Sequence, residues 1–178
     1  MGGPDSVRQN LPHAHCALFN ATGTELYVSE FSADVVTRYD VATRLGKRIQ
    51  LPSDFGPRHI ILNTDESKAY VIGELSGNVV VIDTENDSVI QTVCADSLHA
   101  RGCADIHLSP DGKFLYASVR LQNDGIAIFK VDSDGTLTNA GYQPTGIHPR
   151  NFNITPNGKF LLVACRDSGC IQIFRCDA

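Results

Sequence analysis

Three absences narrow the function of this sequence. There is no basic surplus: 15 Lys and Arg stand against 20 Asp and Glu, for a formal net charge of -5. A phosphate backbone demands an excess of Lys and Arg, so no nucleic-acid partner is expected. There is no apolar run approaching the ~20 residues that span a bilayer, and Met1 to Leu11 lacks the apolar core of a secretory signal. A protein without a membrane partner and resident in the cytoplasm is the expectation. Finally, no stretch carries apolar residues at i, i+3, i+4 and i+7, which points to an all-β fold.

Cysteine usage adds a fourth exclusion. Cys16, Cys94, Cys103, Cys165, Cys170 and Cys176 form no C-x-x-C pair, and no His stands at zinc-finger spacing. No metal and no other cofactor is expected. Cys165 and Cys170 flank a short turn and face each other across a predicted hairpin, but a cytosolic setting disfavours a bridge there.

What the chain does have is self-similarity. Its 178 residues are 42% hydrophobic, enough for one sizeable core. Four segments align: CALFNATGTELYVSE from Cys16, HIILNTDESKAYVIGE from His59, DIHLSPDGKFLYASVR from Asp105 and NFNITPNGKFLLVACR from Asn151. Equivalent positions Tyr27, Tyr70, Tyr116 and Leu162 recur at intervals of 43, 46 and 46 residues. That period, within the ~40–50 residues of a propeller blade, predicts a β-propeller of about four blades, each a four-stranded antiparallel sheet.

Within each copy a short apolar strand meets a polar turn, and a second strand follows. A third strand is rich in β-branched residues, as in Val79-Val80-Val81-Ile82, and a more polar fourth closes the unit. The blades fall at about 13–56, 57–102, 103–148 and 149–178, forming a single partial propeller domain. Residues 1–12 read as a flexible lead-in or the end of a preceding blade. The last copy stops after its third strand, so an open arc is expected. Its uncovered end would expose Ile171 and Ile173 or bury them by self-association.

Topology nominates a site. The first strand of a blade begins on the rim where the second ends, and that rim collects His15, Arg58, His59, Glu74, Asp105, Arg120, Arg150 and Arg166. The opposite rim uses small turn-formers. Arg, His and carboxylates make poor turns but good partners for an anion, and loops on a rigid scaffold commonly carry function. The alternative is that pairs such as Arg58 and Glu74 only lock neighbouring blades.

The same residues carry a resemblance. Gly56-Pro57-Arg58-His59-Ile60 followed by Gly73-Glu74-Leu75-Ser76 resembles signatures of the 6-phosphogluconolactonase family of seven-bladed lactonases. Pro12-His13-Ala14-His15, the run from Ala104 to Gly112, and Pro149-Arg150-Asn151-Phe152 match it in the same order. One departure is Gly73, where the family pattern has Asn.

The resemblance implies hydrolysis of a sugar lactone, with a small anionic substrate as partner. Fungal relatives, the carboxymuconate lactonizing enzymes, use a His, an Arg and a Glu for a cycloisomerisation. Those map to His15 (rather than His13), Arg58 and Glu74. Lactone opening needs a base, oxyanion stabilisation and cationic anchors. Glu74 or His15 would be the base and Arg58 the oxyanion partner, with Arg150, His59, Asp105 and Arg120 binding substrate. Asp105 has a second reading, as a tie to a neighbouring loop, while Arg120 and Arg166 have one as solvated side chains. A non-catalytic binding propeller is the third alternative, because Asn78 to Thr84 and Ser88 to Val93 also resemble Tyr-Val-Thr-Asn surface repeats.

Overall fold

A computed structural model describes residues 3–176. The described chain is all-β, with four antiparallel sheets that each follow chain order. The first holds β1 (Ala14–Phe19), β2 (Glu25–Glu30), β3 (Val35–Asp40) and β4 (Gly46–Gln50). The second holds β5 (Pro57–Leu62), β6 (Lys68–Gly73), β7 (Asn78–Asp83) and β8 (Ser88–Cys94). The third holds β9 (Ile106–Leu108), β10 (Phe114–Val119), β11 (Gly125–Val131) and β12 (Leu137–Pro144). The fourth has three strands, β13 (Pro149–Ile154), β14 (Phe160–Cys165) and β15 (Cys170–Arg175). Among the described residues no helix is long and apolar enough to cross a membrane.

Each sheet packs face to face on the next, and strand alternation explains the composition. In β7, Val79 and Val81 point toward Ile106, Leu115 and Phe129 of the third sheet. Val80 and Ile82 point the other way, toward Tyr27, Val36 and Ile49 of the first. A strand covered on both faces has no place for a polar residue, hence the unbroken apolar run. The outer strand β8 alternates between exposed and half-buried residues, as one-sided packing requires. A third cluster, with Ile126, Phe152, Leu161 and Val163, joins the third sheet to the fourth. Each fully buried Val, Ile or Phe contributes about 1.5–3 kcal/mol, so these three inter-blade seams dominate the stability.

The turns joining the first two strands of each blade repeat one conformation. Gly23, Gly112 and Gly158 have φ of 70–71°, and Glu66 takes the same place with φ 60°. Each donates its N–H to the carbonyl three residues earlier, at 2.8–3.0 Å. Glycine suits this left-handed position because it has no Cβ to clash.

At the end of the stack, Ile171 is 67% and Ile173 65% exposed on one face of β15. The segment before β1, read from sequence as a lead-in, is docked: Gln9 is fully buried, and its amide donates to Phe31 O and Asp34 Oδ1, both at 2.8 Å.

Candidate active site

The rim residues stand where they do because three first strands carry a bulge there. Pairing skips from Ala14↔Glu30 to Cys16↔Ser29, from Pro57↔Gly73 to Ile60↔Val71, and from Pro149↔Cys165 to Asn151↔Ala164. The unpaired residues are His15, Arg58 with His59, and Arg150. A bulge re-aims side chains that regular pleating would send to a sheet face. Ser29 pins the first of them: its Oγ accepts the Cys16 N–H at 3.0 Å and donates to Arg58 O at 2.6 Å. The loops leading to Arg58 and Arg150 are anchored alike. Asp34 accepts the Gly56 N–H and Asp124 the His148 N–H, each at 2.8 Å.

Glu74 sits among three guanidinium groups. Its Oε1 receives Arg8 Nη2 at 2.5 Å, while Oε2 lies 3.0 Å from Arg58 Nε and 3.5 Å from Arg120 Nη2. The Arg58 contact is an ion-pair distance without the alignment of a hydrogen bond. Burial works against the Glu74 charge, but the Arg8 hydrogen bond and the charges of Arg120, Arg8 and Arg58 outweigh it and hold the pKa below the ordinary value. Glu74 is therefore an ionised, occupied carboxylate and a poor proton acceptor.

Arg58 and Arg120 are each only 4% exposed. Arg58 Nη1 donates to Ala104 O. Arg120 donates to the carbonyls of Gly102 and Cys103 at 2.5 and 3.3 Å, and its Nη1 meets His148 Nε2 at 3.0 Å. The reading of Arg120 as a solvated side chain is therefore corrected. Its donors are turned inward, because the loop before β9 offers carbonyls that lack strand partners. Burial, with repulsion from Arg58 and Arg150, brings its pKa down to about 10, so it stays a cation at neutral pH.

His15 is exposed and lies edge-on to His59, ring centroids 5.4 Å apart. Partial burial, then the neighbouring Arg58 and His59, depress its pKa to about 4, so it is neutral at pH 7. His13, two residues away, packs instead on Phe31. Asp105 is 2% exposed and links three blades. It bonds to His59 Nδ1 in the second, and to Asn151 Nδ2 and the Phe152 N–H in the fourth, as well as to its own neighbours Ile106 N–H and His107. Burial opposes its charge, yet the bonds from His107 and His59 hold its pKa far below the ordinary value.

Arg58, His59, Arg150, Asn151, Ala164 and Arg166 line a cleft of about 440 Å³. None of them is a carboxylate. Arg166 is engaged by its neighbour Asp167 at 2.6 Å. Arg150 is exposed, and among the described residues its guanidinium has no ion pair or hydrogen bond. The structure thus brings His15, Arg58, His59, Glu74, Asp105, Arg120 and Arg150 to one rim, with only Arg150 and the edges of Arg58 and His59 turned to the cleft. No group of three or more His, Cys, Asp or Glu among the described residues converges as a metal site.

Three participants escape the sequence reading. Arg8 and Gln9 precede the repeats. His148 lies outside the aligned segments, on the loop before β13, where it is 6% exposed with φ 62°. Its equivalence with Gly56, two residues before an Arg at a bulge, is the signal that marks it.

The chain is similar to proteins of one family. The family model described as "Lactonase, 7-bladed beta-propeller" matches residues 1–178. A 6-phosphogluconolactonase of Formosa agariphila is 36% identical over 184 residues, covering 95% of this chain and 52% of that protein. One from Erwinia tasmaniensis is 31% identical, covering 99% of the chain and 57% of that protein. The chain thus spans about half the length of these curated relatives. The periplasmic gluconolactonase PpgL of Pseudomonas aeruginosa superposes with TM-score 0.85 at 30% identity, covering 93% of this chain and 50% of that one.

Proposed function

We propose that this chain, which belongs to the lactonase family of seven-bladed β-propellers, serves the hydrolysis of a sugar lactone bearing an anionic group, of the 6-phosphogluconolactone class. The observation that carries the reading is the unpartnered guanidinium of Arg150 beside Arg58 in a cleft with no carboxylate in its lining. Guanidinium groups held this close repel one another, and a bound phosphate or carboxylate relieves that repulsion through bidentate hydrogen bonds. Arg150 is the anchor in this reading. Arg58, fixed by Glu74 and Ala104 O, faces the oxyanion that develops when water adds to the lactone carbonyl.

Glu74 serves as a fixed countercharge that lets Arg58 and Arg120 stay protonated while buried, and the proton acceptor is a rim histidine. Asp105 and Arg120 support the site from behind rather than touch the substrate. A cytoplasmic place in carbohydrate metabolism belongs to the same proposal.

Proton release at pH 7 tests the reading, with 6-phosphoglucono-δ-lactone and glucono-δ-lactone compared on the same chain. The phosphorylated lactone is expected to be preferred. Arg150→Ala is expected to raise KM about tenfold, the equivalent of roughly 1.4 kcal/mol, with kcat little changed. Hydrolysis no faster than the spontaneous rate, together with no binding of 6-phosphogluconate, would sink the proposal. Conversion of a carboxymuconate instead would assign the rim to cycloisomerisation.

A further inference from the structure

We infer that His59, held by the buried carboxylate of Asp105, is the proton acceptor of the rim cleft. The inference rests on the lactone reading and names the group that reading leaves open. His59 Nδ1 lies 2.5 Å from Asp105 Oδ1, with the Asp105 side chain 3% exposed and that of His59 31% exposed. Such a bond fixes the tautomer: Nδ1 carries the proton and donates it to the carboxylate, leaving Nε2 bare. The hydrogen-bonding neighbour of Nε2 is Arg58 Nη1, at a long 3.4 Å. One N–H of that Nη1 donates to Ala104 O and the other makes only this long contact, which a water in the cleft that His59 lines with Arg150 displaces to reach the Nε2 lone pair.

The other candidates are weaker on geometry. Glu74 is occupied by Arg8, Arg58 and Arg120. His15 faces the edge of His59 and has no carboxylate within hydrogen-bonding distance among the described residues to orient it. Asp105 is itself over-determined: Asn151 Nδ2 at 2.5 Å and the Phe152 N–H at 3.2 Å, both from the next blade, hold Oδ2 while Oδ1 serves His59. The third blade thereby orients an imidazole of the second toward an anion anchor on the fourth.

The step balances. A water gives its proton to His59 Nε2 while its oxygen bonds to the lactone carbonyl carbon, and the carbonyl π pair moves onto the oxygen facing Arg58. Collapse of that intermediate breaks the bond from the carbonyl carbon to the ring oxygen. The leaving oxygen takes the proton back from His59, giving the open hydroxy acid.

Histidine nitrogen NMR and kinetics test this together. The chain is expected to show His59 protonated at Nδ1 and bare at Nε2. His59→Gln, which keeps a polar side chain, is expected to lower kcat about 100-fold with KM nearly unchanged. Asp105→Asn, whose amide can donate to Nδ1, is expected to move the His59 proton to Nε2 in the nitrogen spectrum and to lower kcat with KM nearly unchanged. A purely structural Asp105 would lower the melting temperature and leave the His59 tautomer in place. If Asp105→Asn does not fold, His59→Gln and the tautomer decide. Wild-type turnover in His59→Gln, or a proton on Nε2 of the wild-type chain, overturns the dyad alone, whereas a wild-type chain that neither hydrolyses nor binds the phosphorylated sugar overturns the lactone reading with it.

Discussion

Arg8 reaches from outside the four repeats to place its Nη2 2.5 Å from Oε1 of Glu74, on the rim of the second blade. The contact joins the segment before β1 to the centre of the charge cluster. It also completes the set of three guanidinium groups around one carboxylate.

The first prediction concerns that carboxylate. Glu74→Gln preserves shape but leaves buried Arg58 and Arg120 without their countercharge, which is expected to cost about 3 kcal/mol. In a chain of this size that lowers the melting temperature by about 6–12 °C. The folded pKa of Glu74 lies below its ordinary 4.5. Its contribution is therefore complete above the unfolded value and lost as pH falls through the folded one. Acid unfolding should be flatter in the variant below pH ~4.5. An unchanged melting temperature and acid limb would show that the ion pairs carry no net stability.

A second prediction isolates backbone strain at His148. Its φ of 62° matches the 61° of Gly56, but only glycine adopts that value without a Cβ penalty. His148 holds the position with two ring contacts, Arg120 Nη1 at Nε2 and Asp167 Oδ2 3.3 Å from Nδ1. Replacing it by Ala keeps the strain and removes both contacts, while Gly removes both together. His148→Gly is expected to be more stable than His148→Ala by about 1 kcal/mol in urea midpoints. The opposite order would mean that the loop relaxes once the imidazole is gone.

The third prediction addresses the uncovered face of the fourth sheet. Ile171 and Ile173 stand across from Ala164 and Leu162 on β14, forming an apolar surface with no neighbouring blade in the described structure. Such surfaces drive association. The sedimentation coefficient is expected to rise with concentration, and the double variant Ile171→Lys, Ile173→Lys to abolish the rise. A monomer at every concentration would argue that three inter-blade seams suffice without covering this face.

Much of the architecture is legible in the sequence because propeller strands leave two periodic marks. Two covered faces make Val79 to Ile82 of β7 an unbroken apolar run, and the left-handed turn recurs at a fixed distance before Tyr27, Tyr70, Tyr116 and Leu162. The shared rim of His15, Arg58, Glu74 and Arg150 follows from hairpin geometry alone. The direction of each side chain does not. Glu74 and Arg166 end equivalent strands, yet the first is buried among cations and the second is exposed beside Asp167. That difference depends on which carbonyls and charges the adjacent loops present, and those loops lie outside the repeat. Arg8 and Gln9 are illegible for the same reason, and His148 shows only through its equivalence with Gly56.

The bulges have an evolutionary consequence. Each accommodates one extra residue at the rim end of a first strand, beyond the positions whose alternation builds the core. Three of the four blades fill that place with different side chains, His15, Arg58 and Arg150, and the third blade leaves Ala104 there. Natural selection can therefore rewrite the chemistry of the rim at the exposed bulge positions His15 and Arg150 without disturbing the inheritance of the scaffold, whereas buried Arg58 can change only together with Glu74. Descendants of one ancestral ring can diverge in the molecules they recognise while keeping interchangeable interiors.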